Sequence, residues 1–178
     1  MTIIGVDPGS IITGFGIIQF KNNSLAYIHS GIIKTPKIKE VPPRLEMIYD
    51  ELDRLIKIYK PDHFSIETAF YAKNIQSVMK IGYVRGVSLL AAVHNKLEIS
   101  EYSPREIKKS VVGNGGASKE QVQFMIKKLM NINQTMLKFD ESDALAIAIC
   151  HAFKSNSPVK SGGSWKKFIE ANPDKVIE

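Results

Sequence analysis

The chain has 178 residues, 44% of them hydrophobic and 24% charged, which suits one globular domain with a sizeable core and excludes a disordered tail. Its 24 Lys plus Arg against 18 Asp plus Glu give a net charge of +6, which permits a polyanionic partner without demanding one. No apolar run is long enough to cross a bilayer, the opening MTIIGVDPGS lacks the regions of a signal peptide, and the single Cys150 argues against a disulfide framework or a cysteine-based zinc site. A cytoplasmic protein is expected.

The β-branched run Thr2–Asp7 predicts a first strand, followed by a turn at Pro8-Gly9-Ser10. Residues 14–20 and 25–35 predict two more strands, and the short connections suit an antiparallel meander. After Pro42-Pro43, the spacing of Leu45, Ile48, Leu52, Leu55, Ile56 and Tyr59 predicts a helix that ends before Pro61. His63–Glu67 predicts a fourth strand, residues 74–95 a long helix and residues 97–101 a short strand. Helices near 104–111, 118–130 and 141–154 complete an α/β arrangement. The domain is expected to span residues 1–154. From residue 155 to 178 the composition changes to a linker-like tail, SNSPVKSGGSW, in which Trp165, Phe168 and Ile169 allow a short helix.

Carboxylates recur at the ends of these apolar elements. Asp7 closes the first strand, Glu67 closes the fourth, and Asp140 with Asp143 opens the last helix in FDESDALAIAIC. Three separated segments can therefore bring acids to one edge of the sheet. Positions 140 and 143 share a helix face, whereas Glu141 points about 100° away. Unit charges about 4 Å apart repel by roughly 4 kcal/mol at an effective dielectric near 20, so gathered carboxylates need neutralising. Protonation is one route. A hard divalent cation is the other, because Mg²⁺ takes oxygen ligands, usually one or two carboxylates with waters and a phosphate. Two such ions about 3.5–4 Å apart serve the attacking and leaving oxygens of a phosphodiester, and a helix N-terminus attracts carboxylate and phosphate alike. Taken singly, each acid is more often a cap or a solvated side chain; their conjunction favours metal-dependent phosphodiester hydrolysis.

Other segments bear on a nucleic-acid substrate. Gly14 and Gly16 in TGFGII leave room beside Asp7 for a ligand backbone, or else for a bulge or tight packing. In TAFYAKN, Phe70 and Tyr71 stand next to Lys73 and Asn74, a pairing that suits base stacking and phosphate contact as well as it suits a core. GNGGASKE has the glycines of a phosphate loop but not their spacing. Its better reading is a helix start capped by Ser118 with Gln121 in the reciprocal position, which puts Lys119 in the first turn.

In this order and spacing, IIGVDPGSIITGFGII, FSIETAFYAKN, REIKKSVVGNGGASKEQV and DESDALAIAI closely resemble the RuvC family of bacterial Holliday-junction resolvases. The resemblance runs from residue 2 to about 154. It implies an RNase H-like fold, here a mixed sheet with an antiparallel meander followed by parallel strands, flanked by helices, and a homodimer that nicks two opposed strands of a four-way DNA junction. It further implies that Asp7, Glu67, Asp140 and Asp143 form the Mg²⁺ site, with two ions per subunit and Mn²⁺ able to substitute. Phe70 then stacks on a base, Lys108 and Lys119 lie near the scissile phosphate, and a branch-migration motor of RuvA and RuvB is a candidate partner.

A dimer is also suggested by residues 74–95, where Ile75, Val78, Met79, Ile81, Val84, Val87, Leu89, Leu90 and Val93 occupy more than one helix face. Gly82 and Gly86 would allow close helix approach, although burial within the monomer is the competing account. Two other functions compete with the resolvase. DPGSIITG also resembles the first phosphate loop of actin and sugar-kinase-type ATP-handling proteins, and a non-catalytic junction-binding module would need no clustered acids.

Overall fold

The computed structural model describes residues 1–35, 40–68, 75–132 and 137–156. Strands β1 (Thr2–Asp7), β2 (Ile12–Lys21) and β3 (Ser24–Lys34) lead into α1 (Val41–Tyr59) and β4 (His63–Glu67). Then come α2 (Ile75–His94), β5 (Glu98–Tyr102), α3 (Pro104–Val112), α4 (Lys119–Leu129) and α5 (Phe139–Ser155). Asn22 and Asn23 turn β2 into β3 with φ of 50° and 61°, the left-handed pair that a two-residue hairpin prefers.

The sheet order is β3-β2-β1-β4-β5. β1 runs antiparallel to β2 and β2 to β3, whereas β4 and β5 are added in parallel. This is the mixed sheet expected, an antiparallel meander followed by parallel strands. β1 sits at its centre and carries apolar side chains to both faces. Ile3 joins the core formed with α3, α4 and α5, while Ile4 and Val6 join the core formed with α1 and α2. Strand alternation explains the split. Both faces being covered, the result is a three-layer α/β/α sandwich.

From Ala144 to Ala152 every residue of α5 is buried, which accounts for the near absence of polarity there. The helix lies directly on β1 and β2 because glycines leave room for its backbone. A Cβ on Gly5 would collide with the Ala144 carbonyl oxygen, one on Gly14 with that of Asp140, and one on Gly16 would lie 2.8 Å from Leu145. The space beside Asp7 at Gly14 and Gly16 is thus taken by α5 and is not open to a ligand backbone, which settles that ambiguity for tight packing.

Other boundaries move slightly. The prolines expected to precede α1 lie within its first turn, where a missing N–H costs nothing. α5 starts at Phe139, so Lys138 and not Asp140 occupies the cap position, and it makes no side-chain cap bond. α5 also ends one residue past the expected domain boundary at 154. Cys150 is fully buried, with Ser110 Oγ 3.2 Å from its sulfur. No helix among the described residues is long and apolar enough to cross a membrane.

Candidate active site

The parallel register pairs Ile3 with His63, Ile4 with Phe64, Gly5 with Ser65 and Val6 with Ile66. The next residues along are Asp7 and Glu67, placed side by side at the carboxyl ends of adjacent strands. On its other flank Asp7 faces Gly14 of β2, over which the Asp140 backbone packs. Asp143 lies one turn further along α5. With Asp7, Glu67, Lys108 and Lys119 it lines a cavity of about 240 Å³ floored by Ile107, Val122 and Ala146.

Lys119 arrives there through its local sequence. The Ser118 hydroxyl accepts from the Gln121 backbone N–H while the Gln121 side chain accepts from the Ser118 N–H, the reciprocal cap expected from ASKEQ. Lys119 is therefore the first residue of α4, and its Nζ donates to Asp143 Oδ2 at 2.9 Å. That bond is the main cause holding the Lys119 pKa above its ordinary value.

Burial raises the Asp7 carboxyl to about 6, with Asp143 and then Asp140 adding repulsion against the pull of Lys119. Glu67 is raised to about 7, chiefly by burial, then by Asp7 and Asp143, with Lys119 and Lys108 opposing. Four acids from three segments thus influence one another at one end of the sheet. Glu141 takes no part. It turns toward β3, where it accepts from Ser30 Oγ at 3.2 Å, as the helical spacing requires.

These acids fit a hard divalent cation in donor chemistry and in their strain. They are oxygen donors, and burial together with mutual repulsion raises two of them, Asp7 to about 6 and Glu67 to about 7, so positive charge placed among them is favoured. As the side chains stand, no three Asp, Glu, His or Cys among the described residues form a ready cage. Mg²⁺ does not require one, since it commonly keeps waters and borrows a substrate phosphate. The Asp143 carboxylate is already engaged by Lys119.

Phe70, Tyr71, Lys73 and Asn74 lie outside the described residues, as do Trp165, Phe168 and Ile169 of the tail. The GNGG segment is a turn and not a phosphate cradle. Gly113 ends α3 at φ 79°, and Asn114 Oδ1 accepts from the Gly116 N–H at 2.9 Å. Among the histidines, His151 is buried and hydrogen-bonded to the Tyr102 hydroxyl at 2.8 Å, with burial pushing its pKa down to about 4. One residue escapes the sequence reading. Arg85, a charged residue on the largely apolar α2, reaches the main chain of Glu67.

Sheet order and site together define a nuclease-type domain of the RNase H-like class. More narrowly, the chain belongs to the crossover junction endodeoxyribonuclease RuvC family, whose model matches residues 3–151. It is 44% identical over 186 residues to the RuvC of Chloroherpeton thalassium, covering all of both chains. It is 46% identical over 162 residues to that of Geotalea uraniireducens, covering 91% of this chain and 92% of the relative. Among solved structures, Thermus thermophilus RuvC in complex with Holliday junction substrate superposes with a TM-score of 0.82 at 26% identity, over 87% of this chain and 94% of that one. The yeast mitochondrial Holliday junction resolvase Ydc2, at 12% identity and a TM-score of 0.60 over 84% of this chain and 78% of that one, shares the fold. These matches do not favour the ATP-handling reading or the non-catalytic one.

Proposed function

We propose that this chain resolves four-way DNA junctions, nicking two opposed strands as a homodimer by Mg²⁺-dependent phosphodiester hydrolysis. The observation that carries the reading is the shared cavity in which Asp7 and Glu67, raised to about 6 and about 7, meet Asp143 and Lys119. Asp7, Glu67, Asp140 and Asp143 would hold two Mg²⁺ per subunit, with Mn²⁺ able to substitute. When bound, the ions supply Lewis-acid activation of a water and stabilisation of the leaving oxygen.

The chain's own residues do the rest. Asp7 and Glu67 present anionic oxygens from rigid strand ends, which fixes their separation. Asp140 and Asp143 sit in the first turns of α5, whose positive dipole end also favours a phosphate. Lys119 neutralises Asp143 in the free protein and transfers its bond to a phosphate oxygen when DNA enters. Lys108, near enough to Glu67 to oppose the rise of its pKa, adds a second positive charge. Phe70 stacks on a base, and Tyr71, Lys73 and Asn74 contact DNA from the same segment.

The dimer rests on α2. Ile75, Met79, Tyr83, Leu90 and Val93 are exposed along one stripe, and Gly82 and Gly86 within it have open space where a Cβ would stand. A stripe of this kind is suited to close packing of two copies of one helix about a two-fold axis. That symmetry matches a junction whose opposed strands are related by a near two-fold.

The test is a nicking assay on a synthetic four-way junction with Mg²⁺, mapping both cuts, with ATP turnover measured beside it. Paired cuts at symmetric positions and no ATP hydrolysis are expected; ATP turnover without cutting would overturn the reading. Residues 1–154 carry the chemistry, and removal of the 155–178 tail should leave cutting intact. A branch-migration motor of the RuvA and RuvB kind is the partner family membership suggests, and co-elution on a preformed junction tests it.

A further inference from the structure

Glu67 is the last residue of β4, and the β1 ladder has run out by the time the chain reaches it. Its carbonyl is instead taken by Arg85 of α2, whose Nε donates to it at 3.2 Å. The other arm of the same guanidinium is hydrogen-bonded to the Glu101 carboxylate on β5. The following N–H, of Thr68, donates to the Tyr102 carbonyl at 2.9 Å. The peptide that carries the Glu67 side chain is therefore held on both sides, once by the sheet and once by a single side chain. Arg85 is 16% exposed, and the Glu101 ion pair keeps its planar fork aimed at the carbonyl. A surface ion pair alone would contribute little; here it orients a donor that ends on the backbone of a metal-site residue.

We propose that Arg85 is a positioning residue for Glu67, with Glu101 as its anchor, and that it sets how well the acidic edge receives a divalent cation. The inference rests on the reading of this edge as a metal site. Groups that orient metal ligands typically cost about 10–100-fold in metal affinity or activity when lost. Arg85 also adjoins Gly86 of the exposed stripe, about 100° round the helix from it. The same turn of α2 thus carries both the proposed dimer contact and the Glu67 clamp.

The experiment compares wild type with Arg85→Gln, Arg85→Lys and Glu101→Gln, each as the full chain. Mn²⁺ binding without DNA is followed by loss of the free-ion electron paramagnetic resonance signal. The Mg²⁺ midpoint and saturated rate of single-turnover junction cutting are measured in parallel, with junction affinity and melting temperature. For Arg85→Gln the expected result is Mn²⁺ affinity weaker by about 10-fold or more, a Mg²⁺ midpoint raised by a similar factor, and unchanged junction affinity. Arg85→Lys keeps the charge toward Glu101 but loses the fork, so it should restore the melting temperature without restoring the midpoint. Glu101→Gln, an exposed change that spares the fold, should shift the midpoint in the same direction by less. It keeps the idea testable should Arg85→Gln fail to fold. Wild-type Mn²⁺ affinity and midpoint in Arg85→Lys and Glu101→Gln would overturn the proposal, as would a loss in Arg85→Gln that follows melting temperature alone. If the wild type itself binds no Mn²⁺, the metal-site reading fails; if it binds and the variants match it, only the role of Arg85 fails.

Discussion

Asp140 and Asp143 add to the charge felt by Asp7, whereas Glu141 between them is bonded to Ser30 on the far side of α5. Asp140→Asn and Asp143→Asn should therefore abolish nicking while junction binding survives or tightens, because each removes negative charge beside DNA. Glu141→Gln should cut normally. Single-turnover cleavage of a saturated junction by all three variants decides this, and a dead Glu141→Gln would mean the wrong face has been chosen. Asp7 and Glu67 give a pH prediction. Both carboxyls titrate higher in the folded protein than in the unfolded chain, at about 6 and about 7. The metal-free fold thus holds extra protons between about pH 4 and pH 7, and its stability falls as pH rises through that window. Asp7→Asn should raise the metal-free melting temperature at pH 8, and the gain should shrink at pH 5, where wild-type Asp7 is already protonated. In cutting, the Mg²⁺ requirement should grow as pH drops from 7 to 6, because protons and cations compete for the same oxygens. That Asp140 and Asp143 face Asp7 while Glu141 turns to Ser30 is legible in the sequence because helical geometry fixes it. The part of Arg85 is not legible, because a hydrogen bond to a main-chain carbonyl 18 residues away leaves no spacing to read.

α5 shows how far an element's surroundings can be inferred. Its apolar run announces burial, and its acidic start announces an exposed end, but which surface covers it depends on three glycines in β1 and β2. Gly14 is the informative one, since a Cβ there meets the Asp140 backbone itself. Gly14→Ala should cost about 1–3 kcal/mol by overpacking, or several degrees of melting temperature, and should cut activity further than that loss explains, because relief requires the acidic turn to move. Activity that simply follows the folded fraction would show the turn is not displaced. α2 supplies the contrast. Its excess of apolar residues is legible, but how they divide between internal burial and a second surface depends on packing across the fold, which buries Val84, Ser88, Ala91 and Ala92 and leaves the Met79 and Leu90 side exposed. If the proposed dimer forms through this stripe, Met79→Glu with Leu90→Glu should give a monomer while barely changing the domain's own stability. Light scattering measures the first and dilution-dependent melting the second. A double variant that remains dimeric would place the contact on another surface.

For the whole molecule, the net charge of +6 conceals an opposition that decides how DNA is held and cut. An acidic edge that repels phosphate lies beside Lys108 and Lys119, which attract it. Binding and cutting should therefore respond to different ions. Affinity for the junction belongs to the basic surface, so it should fall with salt at a log–log slope of about −0.9 for each phosphate neutralised on duplex arms. Any divalent cation that quiets the acidic edge should help binding, and Ca²⁺ should do so. Cutting asks for more, because the reacting oxygens must be placed within tight limits. Mg²⁺ demands near-octahedral geometry at about 2.0–2.1 Å, whereas Ca²⁺ accepts six to eight ligands at about 2.3–2.6 Å in looser arrangements. With Ca²⁺ the complex should form and stay uncut, and replacing Ca²⁺ by Mg²⁺ or Mn²⁺ in the preformed complex should release both nicks. A filter-binding titration and a quenched-flow exchange on one labelled junction separate the two effects. Equal cutting rates in Ca²⁺ and Mg²⁺ would mean that the acids merely neutralise charge, and the two-ion hydrolysis proposed for this edge would fall.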